Sequence, residues 1–165
     1  MANKTVEIVF DTLPQDLAQM QALPQAGLAT PFETAALTVA ALCRYGQDAD
    51  SGLAMLDFLK GPQPLTTYER QFLHDRFMDG HGYVPLSYVA GAVPANGYQP
   101  SQPYRVSVAE TPQSYDQPGY AKLMLTSSGA DAPRPVTLRQ KDACWYLWEQ
   151  FLLAGIRPPQ DKGAW

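Results

Sequence analysis

Two periodicities divide the chain into halves. Val6, Ile8 and Phe10 alternate with Glu7 and Val9, the period of a strand, and Asp11-Thr12-Leu13-Pro14 ends it. Pro14 then opens a helix through Leu17, Met20 and Leu23 that Pro24 and Gly27 break. The clearest helix start is Thr30-Pro31-Phe32-Glu33, a capping box with proline at the first helical position, and the helix it opens runs to about Tyr45. Phe32, Ala35, Ala36, Val39, Ala40 and Cys43 fill one face of it, while Leu37, Ala41 and Leu42 spread apolar surface round the rest, which places this helix in the core. Asp50 or Ser51 caps another helix carrying Leu53, Met55, Leu56, Phe58 and Leu59 up to Gly61-Pro62. A second capping box, Thr66 with Glu69, begins a helix through Phe72, Leu73 and Phe77 that ends near Asp79-Gly80.

Beyond Gly82 the pattern changes. Prolines 85, 94, 100 and 103 and the turn pair Asn96-Gly97 stand among Tyr83, Tyr88 and Tyr98, an irregular connection over about 82–103 that its tyrosines should pack down. Four period-2 segments follow: Tyr104 to Ala109, Tyr120 to Ser127, Val136 to Lys141 and Cys144 to Glu149, read as an antiparallel meander over about 104–150. Trp145 to Trp148 fits equally the opening of a last helix through Phe151 and Leu153, and periodicity leaves that choice open. The expected fold class is α+β, one domain over 1–165, with N-terminal helices (about 12–80) packed on one face of the C-terminal antiparallel β-meander.

Composition agrees with a packed core: 45% of residues are apolar and only 17% charged. A net charge of −4 opposes general nucleic-acid or anionic-membrane binding. The start Met1-Ala2-Asn3-Lys4-Thr5 carries no apolar run of signal-peptide length, and Ala35 to Cys43 is too short to span a bilayer, so a cytoplasmic protein is expected. Cys43 and Cys144, without CxxC spacing, read as two separate thiols, with Cys43 inert on the apolar helix.

Three segments carry candidate chemistry. In Ser127-Ser128-Gly129-Ala130-Asp131-Ala132-Pro133-Arg134-Pro135, two prolines stiffen the chain about Arg134. A guanidinium held so offers a two-pronged donor to a carboxylate or phosphate; the plainer reading pairs Asp131 with Arg134 to lock the turn. The second is a sheet face. If Leu123, Leu125, Val136, Leu138, Trp145 and Leu147 face the helices, then Lys122, Met124, Thr126, Thr137, Arg139, Lys141, Tyr146 and Trp148 share the other side, basic and aromatic. Such a face suits an anionic ligand or a partner segment, or else is solvated or covered by the tyrosine-rich connection. The third, His74-Asp75-Arg76-Phe77-Met78-Asp79-Gly80-His81, holds both histidines, but its spacing matches no metal motif and a solvated helix end explains it. No catalytic residue, metal site or cofactor is assigned.

The strings Thr30-Pro31-Phe32-Glu33-Thr34-Ala35-Ala36-Leu37, Met55-Leu56-Asp57-Phe58-Leu59-Lys60-Gly61-Pro62, Ser127 to Pro135, and Trp148-Glu149 to Ile156-Arg157-Pro158 resemble those of an uncharacterised bacterial domain-of-unknown-function family. The resemblance covers nearly the whole chain, implies a stand-alone single-domain protein, and brings no activity, cofactor or catalytic residue. The residues themselves point to a non-enzymatic binding or adaptor domain in which Asp131, Arg134, Arg139 and Trp148 engage a protein partner or a small anionic ligand. The rival is a small hydrolase or transferase with a pocket under the 82–103 connection, using Asp75, His74, His81 or Asp131. An uncovered sheet face or edge strand also allows a homodimer beside the monomer.

Overall fold

The computed structural model describes residues 3–160. Residues 1–2 and 161–165 of the domain expected over 1–165, and with them the Met1-Ala2 start weighed as a leader, lie outside the described residues. The chain runs β1 (Thr5–Phe10), α1 (Leu17–Gln21), α2 (Pro31–Tyr45), α3 (Ala49–Lys60), α4 (Thr67–Phe77), then β2 (Tyr104–Ala109), β3 (Tyr120–Leu125), β4 (Arg134–Lys141) and β5 (Cys144–Gln150). All five strands form one antiparallel sheet in the order β1-β2-β3-β4-β5. The architecture is α+β, helices first and sheet after.

Alternation sets which face of the sheet meets the helices. Ile8, Phe10, Val106, Val108, Ala121, Leu123, Leu125, Val136, Leu138 and Leu147 are all buried, and cross-strand partners such as Ile8 with Val106 and Leu123 with Val136 share that face. Against them lies α2, buried at every residue except Glu33 and Arg44, as expected for a helix apolar nearly all round. Its two buried threonines do not waste their hydroxyls: Thr38 donates to the Thr34 carbonyl, and Thr34 donates 2.7 Å across to the Trp145 carbonyl on β5.

The helix starts match the expected chemistry with adjustments. Thr30 accepts from the Glu33 backbone N–H, but the Glu33 carboxylate takes the Thr30 hydroxyl rather than its backbone N–H, so that box is half made. The Thr66/Glu69 box is complete. Asp48, not Asp50 or Ser51, caps α3, its carboxylate accepting from the Ser51 N–H, because the chain turns directly out of α2. The first helix is shorter than read: Asp16 rather than Pro14 starts it, it ends at Gln21, and Pro24–Gly27 forms a 3₁₀ turn. The 82–103 connection is less irregular than expected, since 3₁₀ turns follow the kink at Asp79, Gly80 and His81 as far as Tyr88 and recur at Pro94–Asn96. It packs on α2 and α4. The segment from Cys144 is a strand, not a helix.

Gly52 lets α3 approach α2. A Cβ there would stand 2.4 Å from Tyr45 Cα, a backbone atom that moves only if the helices part. Gly52→Ala is expected to cost about 1–3 kcal/mol through overpacking, against about 1 kcal/mol of helix propensity gained. Urea unfolding checks it; a variant as stable as the parent would show that the two helices separate freely.

Candidate functional site

The β4–β5 pair builds the most distinctive surface. Its register slips between Thr137 and Leu138: Leu138 lies opposite Leu147, while Thr137 lies opposite Glu149, so Trp148 is the extra residue of a β-bulge. On the outer face Arg139 is flanked by Tyr146 on β5 and Tyr120 on β3. Its guanidinium sits 5.0 Å from the Trp148 ring centroid and 5.7 Å from that of Tyr120, and the two rings meet edge to face at 5.7 Å. Among the described residues neither Arg139 nor Lys141 pairs with a carboxylate.

A cavity of about 240 Å³ opens beside this cluster, lined by Arg139, Lys141, Tyr146, Trp148, Pro62 and Gln63 among others. The end of α3 makes it. Gly61 leaves the helix at φ +67°, and a Cβ on it would meet the Tyr146 ring at 2.4 Å. Only glycine lets the chain cross so close, and the Pro62-Gln63 turn then overhangs the sheet edge. Tyr146, expected open on the outer face, is therefore half-buried.

Lys60, the last residue of α3, stands at the back of the same cavity. Its side chain is only 8% exposed, and its ammonium donates at 2.9 Å to both Glu69 Oε2 and the carbonyl of Trp148. A buried lysine is tolerable when its charge is paired and its donors used, as here. Burial pushes the Glu69 carboxyl up, but the Thr66 N–H, the Lys60 ammonium and the Thr66 hydroxyl outweigh it and hold the group below the ordinary glutamate value. The sequence held a sign of this in a lone lysine closing an apolar helix, but such a lysine reads equally as a charge favourable to the helix dipole.

The stiff loop before β4 serves another purpose. Arg134 donates to the carbonyls of Ala132, Ala154 and Gly155, and Asp131 pairs with Arg157, not with Arg134. Ser127 donates to Ser87 Oγ, Ser128 to the Ala92 carbonyl, and Gly129 lies so close to Tyr98 that a Cβ would meet its hydroxyl at 2.3 Å. This loop ties the 82–103 connection and the 152–160 segment to the sheet. Of the four residues singled out in sequence, Arg139 and Trp148 come together; Asp131 and Arg134 sit in the tie.

The remaining candidates stay apart. His74 is exposed with Nδ1 3.5 Å from Asp75, and His81 bonds the Met78 carbonyl. Among the described residues no three His, Cys, Asp or Glu side chains gather as a metal site. Cys43 is buried and its thiol pushed up to about 12 by that burial; Cys144 is half-buried and free. No described helix is long and apolar enough to cross a membrane.

A helix-covered antiparallel sheet with one open basic-aromatic face defines the class. Residues 12–160 match the family described as a domain of unknown function (DUF6935), and the chain belongs to that family. No curated protein and no solved structure matches the chain.

Two outcomes follow from these contacts. The folded Glu69 carboxyl titrates below its unfolded value, so it adds stability at neutral pH that is withdrawn as pH falls through the ordinary glutamate range, about 4.3, toward the lowered value. Glu69→Gln should therefore flatten part of the stability loss between neutral and acid pH in urea titrations; an unchanged slope would remove Glu69 from that account. Arg134→Ala should cost about 1–2 kcal/mol for its charge-assisted bonds, with the thermal midpoint falling and the Trp148 environment, followed by indole fluorescence, unaltered.

Proposed function

We propose that this protein is a non-enzymatic binding or adaptor domain whose outer sheet face receives an acidic group, carried by a protein partner or a small anionic ligand. The observation that carries the reading is the Arg139 guanidinium held against Trp148 and Tyr120, without a carboxylate partner among the described residues, at the mouth of the 240 Å³ cavity. A guanidinium laid on aromatic faces is already oriented and presents its N–H edge outward for a two-pronged bond to carboxylate or phosphate. Lys141 and Gln63 add a second cation and an amide to the same lining.

Binding is favoured over catalysis by what surrounds the cavities. Neither of the two described cavities is lined by His, Cys, Ser or Asp, and neither touches the 82–103 connection under which a hydrolase or transferase pocket was expected. The larger one carries Glu69, Glu149, Lys60 and Tyr68, groups capable of acid–base chemistry, but Glu69 and Lys60 are committed to each other and no serine or cysteine nucleophile stands beside them. Action in the cytoplasm suits two free cysteines, one of them deeply buried.

The test is calorimetric titration with inorganic pyrophosphate and with a short glutamate-rich peptide. At least one is expected to bind with an affinity that falls as salt rises, and Arg139→Ala to weaken it about tenfold, the loss of a charge-assisted bond of roughly 1.5 kcal/mol. Trp148→Phe should remove the accompanying fluorescence change. Binding that survives Arg139→Ala with Lys141→Ala at full strength would place the anion elsewhere.

A further inference from the structure

A second and larger cavity, about 400 Å³, lies between α4 and the end of β5, and the sheet-face reading makes no use of it. Its walls are Leu42, Leu56, Leu65, Phe72, Leu147 and Leu153. It is an open cleft: Leu42, Leu56, Leu147 and Leu153 form a buried floor, 0–7% exposed, and half-buried Leu65 and Phe72 line its sides. Here polar tethers set where α4 stands. Arg70 pairs with Asp57 on α3 at 2.6 Å, Glu69 pairs with Lys60 at 2.9 Å, and Asp57 also accepts from the Leu65 N–H ahead of α4. Of the eleven residues of α4 only Tyr68, Phe72, Leu73 and Phe77 are apolar or aromatic, and only Leu73 is buried. The helix is thus positioned by ion pairs over a cleft it does not fill.

The mouth is unusual as well. Tyr68 is 79% and Phe151 51% exposed, two of the largest apolar side chains left in water, and both line this opening. The charges of the lining are unequally committed. Lys60 and Glu69 satisfy each other, while Glu149, exposed on β5 opposite Thr137, lines the cavity without a cation partner among the described residues. Arg76 remains: its guanidinium rests 5.0 Å from the Phe72 ring centroid, and among the described residues it pairs with no carboxylate. The cleft therefore joins an apolar floor and sides of ligand size to one uncommitted cation, Arg76, on the α4 edge, with Glu149 on the β5 edge.

We propose that this cavity is a binding site for a small amphiphilic carboxylate, its hydrocarbon part lying among the leucines and Phe72 and its carboxylate on Arg76. Apolar burial supplies the affinity, and Arg76 fixes which end of the ligand faces water.

The experiment uses decanoate as probe, read by displacement of the fluorescent sulfonate 1-anilinonaphthalene-8-sulfonate and by calorimetry on the full chain. Decanoate is expected to bind and displace the dye. Leu65→Trp, which fills the cavity from its half-buried mouth, should weaken binding at least tenfold; Ala154→Trp, at an exposed lining position, repeats the test should the first variant unfold. Arg76→Ala should cost decanoate about tenfold and leave decan-1-ol unaffected, the split that assigns the head group. The proposal is overturned if folded protein fails to bind decanoate, if both filling variants bind it as the parent does, or if Arg76→Ala weakens acid and alcohol alike. Arg139→Ala should leave decanoate binding intact; a loss there would move the probe to the outer sheet face and sink the cavity assignment, while failure of the sheet-face reading leaves the cavity result standing.

Discussion

An edge strand beside a core cannot leave its outward carbonyls bare, and the way β5 meets that constraint organises the molecule. Two of those carbonyls, at Trp145 and Trp148, are taken by Thr34 from α2 and Lys60 from α3. They stand three residues apart, where plain alternation would give an even spacing, because Trp148 is itself the extra residue of the bulge. The same displacement sets its ring beside Arg139. Lys60, held by the carbonyl, in turn holds Glu69, and through it the start of α4. One strand edge thus fixes the helix layer, the exposed aromatic cluster and the cleft under α4.

Much of the frame was legible in the chain because local rules and global fold agree there. The helical half and the strand half, the core position of α2, and the strand starts at Tyr104 and Tyr120 all follow from periodicity with turn residues at the joins. The choice between strand and helix after Cys144 was beyond sequence because Trp145 to Trp148 fits both periods; pairing with β4, a tertiary contact, decides it. The cap of α3 was misplaced for a smaller reason: Asp48, Asp50 and Ser51 are all competent caps, and the tightness of the turn from α2 selects among them.

The candidate site was half legible. Alternation put Arg139, Tyr146 and Trp148 on one face, but it gave no sign that the end of α3 would cover Tyr146, and no periodicity announces a bulge, so the approach of arginine to indole had no sequence signal. The proline-stiffened loop looked like the better anion site because rigidity is visible in sequence while partners are not. Arg134 finds its acceptors in Ala154 and Gly155, and Asp131 its partner in Arg157, each some twenty or more positions further along. The stiffness serves attachment of the 152–160 segment.

The pairing of β1 with β2, on either side of all four helices, has a consequence for the order in which the chain assembles. As the polypeptide is made, α2 emerges with apolar residues on nearly every side well before any strand except β1 exists to cover it. Hairpin closure of β3, β4 and β5 is local and quick, whereas β1 must wait for β2 across a long separation, the kind of contact that slows folding. A vulnerable interval is thus written into the topology, during which an exposed core helix is available for misassociation or for a chaperone. Its length is set by how soon β2 to β5 follow.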